Sequence, residues 1–410
     1  MERKLKIDLK AKEILTLLKE KGFPSYIVGG AVRDLMLNRE VHDYDIATPA
    51  RPVDLQKLFP DSYGGYGEEY GSVTIVYKKQ TFEITTLRQE GDYIDYRHPD
   101  RVFFTDKLDK DLARRDFTVN AMGYSLDTGL FDPFHGEKDL ENNLLVAVGD
   151  PHVRFKEDAL RILRGLRFAS TRGFDIEKNT LEGMKEAAPL LLKISKRKKT
   201  WELIEAFNGD YPENLSYLTI KEFWVNLFGD NLNRYSLDKE DFGILKEIPP
   251  IGYLRLMGFM HLLWKNNVVI YEDPEIFFKK VVDALEIGKQ SQKEIIEHSL
   301  LVFQETPKDY PGLRRVLMNI MFEDYRDILT IKNVIYNEEN DEEKKMVMEI
   351  ALNKDPIHLK DLKVNGDDLR KIGFEGKMIG KELYRLLELI LKEPEKNQKE
   401  VLLLIAKKDL

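Results

Sequence analysis

The stretch Tyr26-Ile27-Val28-Gly29-Gly30-Ala31-Val32-Arg33-Asp34, followed by Asp43-Tyr44-Asp45-Ile46, decides how the first part of this 410-residue chain is read. Tyr26-Ile27-Val28 predicts a short strand ending at the glycine pair, where the missing Cβ atoms let backbone amides approach a triphosphate at the start of the next helix. Arg33 then lies one turn in, as a phosphate fork. Asp43 and Asp45 are two residues apart, so on an extended strand both carboxylates project from one face while Tyr44 and Ile46 point into the core. Two hard oxygen ligands on one face suit Mg²⁺ with substrate phosphates and water. Two such ions would activate a hydroxyl and stabilise a leaving pyrophosphate. A Gly-Gly pair alone is more often a turn, and Asp-x-Asp alone a strand end or cap; joined, they are more specific.

Outward from this stretch, helical spacing covers 8–20 and 31–38, and short β-branched or aromatic runs fall at 25–28, 72–77, 82–87 and 101–104. This predicts an α+β segment with a head of about five strands. In Phe82-Glu83-Ile84-Thr85 the alternation turns Glu83 away from the core, with Lys78 to Thr81 as the hairpin turn. Beyond Asp150-Pro151 the strand signals fade and Leu/Ile spacing of three and four residues predicts an all-α remainder. Breaks are expected at 208–212, 305–307 and 353–356.

Composition narrows the class. Hydrophobic residues at 42% and charged residues at 33% describe a folding chain, and the length predicts several modules. There is no cysteine, which excludes thiolate metal sites and fits a reducing, cytoplasmic compartment. No apolar run approaches the roughly 18 residues of a membrane span. Lys plus Arg total 64 against 72 Asp plus Glu, a net charge of −8, so any nucleic-acid surface must be local. The run Lys193, Lys196, Arg197, Lys198, Lys199 is the candidate for phosphate contacts, or else a solvated helix start.

Two further constellations bear on chemistry. Arg114-Arg115-Asp116-Phe117-Thr118-Val119-Asn120-Ala121-Met122 sets adjacent arginines before an aspartate, which on its own could be an ion-paired helix start. Residues 154–168 read as one helix with Asp158, Arg161 and Arg164 at successive i+3 steps along a ridge. An Asp–Arg pair held edge-on to a base offers an acceptor and a donor fork. Cytosine and adenine share an exocyclic amine beside a ring acceptor, so Asp158 and Arg161 would accept both, whereas guanine and uracil would leave them unpaired.

These motifs resemble those of the class II tRNA nucleotidyltransferases, the CCA-adding enzymes, which share a polymerase β-like head with bacterial poly(A) polymerases. The resemblance is strongest over 20–205, with a weaker match at Leu362 to Leu369. It implies a nucleotidyltransferase head at 1–150, a helical neck with the base-recognition helix at 151–210, a helical body at 211–306 and a helical, tRNA-binding tail at 307–410. It further implies that Asp43 and Asp45 hold Mg²⁺, that Gly30, Arg33 and Arg115 contact the triphosphate of CTP or ATP, that Asp158 and Arg161 pair with the base, and that Arg164 and Arg167 serve the same pocket. Glu83, on strand alternation and position, is a candidate third acidic group. The partner implied is the 3′ end and acceptor/T arm of tRNA; the sequence suggests no protein partner and no membrane.

Leu87 to Arg101 resembles the loop that CC-only members lack in part, though an A-adding enzyme or a poly(A) polymerase stays open. A small-molecule nucleotidyltransferase would not need so long a helical half. His42-Asp43 alone would suggest a metal phosphohydrolase, but it sits inside the nucleotidyltransferase motif.

Overall fold

The helix expected over 8–20 forms at Leu9–Glu20 (α1), capped by Asp8, whose carboxylate accepts from the backbone N–H of Lys10 at 2.8 Å and of Ala11 at 3.3 Å. Its residues Ala11, Ile14, Leu15 and Leu18 recur at three- and four-residue spacing and are buried. The computed structural model describes residues 5–41, 43–63, 70–91, 100–229 and 237–409. The chain divides into two units, Met1–Lys246 with Ala284–Glu286, and Glu247–Asp283 with Ile287–Leu410.

In the first unit the elements follow as β1 (Tyr26–Val28), α2 (Gly30–Met36), β2 (Asp45–Thr48), α3 (Pro52–Leu58), β3 (Ser62–Tyr63), β4 (Ser72–Tyr77), β5 (Gln80–Thr86), β6 (Arg88–Glu90), β7 (Val102–Phe104), α4 (Leu108–Ala113), β8 (Gly123–Ser125) and β9 (Gly129–Phe131). Among the described residues the main sheet has seven strands in the order β3-β4-β5-β2-β1-β8-β9, against the five or so expected, because β3, β8 and β9 are too short to show a period in sequence. Of these described strands only β2 and β5 pair in parallel, with Asp45 opposite Glu83 and Ile46 opposite Ile84. A core of Val28, Ala47, Leu87, Leu108, Leu112, Ala121 and Val148 backs the central strands. The β4–β5 turn is tighter than the expected 78–81: Tyr77 pairs with Gln80, leaving Lys78 and Lys79 both at positive φ, 48° and 66°.

After α5 (Gly136–Glu141) and β10 (Leu144–Leu145), residue 150 caps a helix start, with the Asp150 carboxylate accepting from His152 N–H at 2.9 Å and Pro151 in the first turn. That helix, α6, spans Pro151–Glu157 and precedes α7 (Leu160–Arg172). The single helix expected over 154–168 is therefore broken. Asp158 is extended, φ −137° and ψ 103°, and its carboxylate accepts from Leu160 N–H at 3.0 Å. A short side chain that satisfies the next turn's amide favours a fresh start over continuation. Nor is the segment wholly α: β11 (Asp175–Ile176) pairs in parallel with β10, tying the chain beyond α7 to the head. The unit continues through α8 (Lys178–Ala187) and α9 (Lys196–Phe207), with Ser170 Oγ donating to the Ala206 carbonyl at 2.6 Å to join α7 to α9.

The second unit is built of helices. Its core includes His261, fully buried on the helix Gly252–Lys265, with the Tyr336 hydroxyl 3.0 Å from Nδ1 and the rings of Phe278 and Phe303 4.8 and 5.2 Å away. The expected breaks at 305–307 and 353–356 fall between helices.

Candidate active site

β1 delivers the chain to Gly29, which caps α2 at φ 69° and ψ −137°. A Cβ there would stand 2.7 Å from Arg115 Nη1, so glycine serves both the positive φ and the approach of that guanidinium. Around it lies a cavity of about 460 Å³ lined by Gly29, Gly30, Arg33, Asp45, Arg114, Arg115, Asp116, Asn120, Asp158, Leu160, Arg161, Arg164 and Phe168. Five arginines against three aspartates give it a cationic wall in a chain whose net charge is −8.

Arg33 is 4% exposed and braced on three sides. Its Nε and Nη2 donate to the two oxygens of Asp34 at 2.9 and 3.0 Å, and Nη1 donates to Asn120 Oδ1 at 2.6 Å. Asn120 Nδ2 in turn donates to Asp116 Oδ1 at 3.2 Å, and Asp116 Oδ2 accepts from Arg164 Nε at 2.7 Å. Burial alone would raise the Asp116 pKa, but the Arg164 charge and the hydrogen bonds from Arg164, Asn120 and Phe117 N–H bring it down to about 2. The arginines from the glycine-rich turn and from α7 are thus linked through a buried polar chain. Sequence reasoning missed Asn120 and Asp116 as members of the site; their position inside the Arg-Arg-Asp motif was the available signal.

Arg115 Nη2 lies 3.3 Å from Asp111 Oδ2, while its buried Nε has no hydrogen-bond partner among the described residues. Arg161 is 6% exposed; its Nη1 donates to Glu157 Oε2 at 2.8 Å and to the Arg154 carbonyl at 3.0 Å, and its Nη2 to the Arg114 carbonyl at 3.0 Å. Asp158, Arg161 and Arg164 share the cavity wall, but through the break before α7 rather than along one helical ridge.

Strand alternation at the acidic tip is as expected, except that β2 begins at Asp45 and Asp43 precedes it. Tyr44 and Ile46 are 4% and 0% exposed, whereas Asp43, Asp45 and Glu83 face out. Asp45 lines the cavity and has Glu83 as its neighbour across β2–β5; Asp43 and Glu83 do not line it. Although Asp45 keeps an exposed edge, the protein crowded around its carboxylate displaces water and raises its pKa, Arg115 opposes this, and the charges of Glu83 and Asp43 add to the rise. Among the described residues no hydrogen bond or ion pair engages these three carboxylates. No group of three metal-capable side chains among the described residues stands close enough to hold an ion alone. Unpaired, mutually repelling hard oxygens fit a divalent cation that takes its remaining ligands from substrate and water.

Arg167, like Asp43 and Glu83, does not line the cavity. Its Nε donates to Glu202 Oε2 at 2.6 Å, because Arg167 points from α7 toward α9. The basic run starts α9, with Lys193, Lys196 and Arg197 exposed and Lys199 half-buried. The loop at 87–101 is flanked by the β6–β7 pair, and its 92–99 stretch lies outside the described residues, as does His42.

The sheet and its match define a class: a nucleotidyltransferase built on a poly(A) polymerase type of head, since residues 25–146 match the Poly A polymerase head domain family. A CCA-adding enzyme of Geobacillus sp. (strain WCH70) is 33% identical over 382 residues, 92% of this chain and 91% of that relative. The crystal structure of Bacillus stearothermophilus CCA-adding enzyme in complex with CTP matches with a TM-score of 0.80 at 25% identity, over 98% of this chain and 96% of that one. Thermotoga maritima CCA-adding enzyme complexed with tRNA shares the fold, with a TM-score of 0.65 at 21% identity over 98% and 96% of the two chains. This chain belongs to the family of CCA-adding enzymes. Among the described residues no helix is long and apolar enough to cross a membrane.

Proposed function

We propose that this chain adds C, C and A in turn to the 3′ end of tRNA, drawing on CTP and ATP without a nucleic-acid template, in the cytoplasm that suits a cysteine-free chain. The carrying observation is that one cavity gathers the strand-tip carboxylate Asp45, the arginines Arg33 and Arg115, and the Asp158–Arg161 pair. The relatives solved with CTP and with tRNA support the substrates.

In each cycle the RNA 3′-oxygen bonds to the α-phosphorus, the α–β anhydride breaks, and pyrophosphate leaves. Arg33 and Arg115, beside the Gly29–Gly30 turn, bind the β- and γ-phosphates and stabilise the departing charge. Asp43 and Asp45 would hold Mg²⁺, with Glu83 as the third acidic neighbour. A metal bound there would lower the pKa of the attacking hydroxyl and offset charge on the phosphates. Asp158 accepts from the exocyclic amine of C or A and Arg161 donates to the adjacent ring nitrogen; Arg164, fixed by Asp116, keeps that wall in place. Guanine or uracil would leave these groups unpaired, at about 1–3 kcal/mol each.

A tRNA transcript lacking its last three nucleotides tests the proposal. CTP alone should extend it by two, CTP with ATP by three, and ATP alone not at all. Extension by ATP alone would point to an A-adding enzyme or a poly(A) polymerase. Asp158→Ala should admit guanine or uracil, and unchanged selectivity would remove the base-reading assignment.

A further inference from the structure

Trp201 on α9 is 57% exposed, whereas Trp224 is 2% exposed and Trp264 is partly buried. It is not an isolated surface aromatic. The Arg167 guanidinium carbon lies 5.2 Å from the Trp201 ring centroid and 4.4 Å from that of Phe168, and Arg167 is anchored by Glu202, itself 2% exposed. Phe168 is part of the cavity wall. A ring, a guanidinium and a second ring therefore form a column from the nucleotide cavity to the surface, and its outer end is an open indole held in orientation. Arg197, exposed, stands four residues before Trp201 on the same helix face, and Lys193 and Lys196 are exposed nearby in sequence.

We propose that Trp201 is a stacking platform for an unpaired base of the RNA primer. It would hold the strand just before the 3′ end that enters the cavity, and so the proposal rests on that cavity being the site of nucleotide addition. Any base presents a π-face, so stacking is indifferent to sequence, as an enzyme with many tRNA substrates requires. The adjacent cations suit the phosphates of the same strand and disfavour a purely apolar partner. The cation behind the indole also fixes its position, lowering the entropy lost when a base stacks on it.

The test uses the full chain and a tRNA transcript lacking its terminal CCA. Primer should quench tryptophan emission without any nucleotide present, CTP alone should not, and in Trp201→Phe the primer-dependent quench should vanish. Trp201→Ala should raise KM for primer about 5- to 100-fold, with kcat at saturating primer and KM for CTP within about twofold of wild type. Trp201→Phe should recover most of the primer affinity. Failure of primer to quench the wild-type emission would overturn the platform even if the alanine variant did not fold. A wild-type KM for primer in a folded, active Trp201→Ala protein would also overturn it, and would leave the active-site reading standing. Absence of CTP incorporation by the wild type would instead overturn the active-site reading. If sedimentation showed a dimer that Trp201→Ala splits, the face would belong to a second copy of the chain and the proposal would fall.

Discussion

Folding disfavours the charged form of the Asp45 carboxyl. Burial and the charges of Glu83 and Asp43 raise its pKa, and the opposing charge of Arg115 does not cancel them. A carboxyl whose pKa is raised on folding contributes most stability at low pH and loses it as pH rises through that pKa. The neutral isostere should therefore relieve the fold at pH 7: Asp45→Asn is expected to raise the melting temperature at neutral pH while cutting nucleotide addition by roughly 10³-fold or more. Calorimetry beside the transcript assay checks both, and a lowered melting temperature would contradict the electrostatics. Asp45, Arg33, Asp158 and Arg161 meet in one cavity, and residue type marked each of them as a candidate before any packing was known. Arg167 was marked too: arginines three apart on a helix share a side, but only packing shows that Glu202 and Trp201 draw this one away. Asn120 stood inside the Arg-Arg-Asp motif, but its role as an amide linking the buried Arg33 and Asp116 shows only in the packing.

Among elements, the β4–β5 hairpin and α1 could be read from alternation and helical spacing, which are strong over six or more residues. Strands of two or three residues such as β3, β8 and β11 carry no period, and tertiary pairing alone selects them. The break between α6 and α7 was missed because the apolar positions continue through it; the extended backbone of Asp158 and its bond to Leu160 N–H interrupt the helix. The hairpin turn yields its own prediction. Lys78 and Lys79 both occupy the left-handed region, and Lys78 Nζ pairs with Glu13 at 2.6 Å. Lys79→Gly should remove about 1 kcal/mol of backbone strain, keep that pair and raise the denaturation midpoint. A decrease would show that the entropy of the unfolded glycine outweighs the strain.

For the whole molecule, one buried ring sets an acid response in the second unit. Burial pushes the His261 pKa down to about 3, against the opposing effect of a Ser299 backbone hydrogen bond, so the folded second unit keeps this ring neutral. A histidine whose pKa falls on folding gives stability that is complete above its unfolded value near 6.5 and is lost as pH drops toward 3. Between pH 7 and pH 5 the second unit should lose about 2 kcal/mol from this group alone. Thermal melts at both pH values check this, and His261→Phe should flatten the response; an unchanged slope in that variant would assign the acid sensitivity elsewhere. The repulsion at the strand tip has a longer reach. A gene copy released from selection for catalysis could gain heat resistance by exchanging Asp45 for its amide, so decaying duplicates of this chain should shed that acid early, ahead of residues that merely fill the interior.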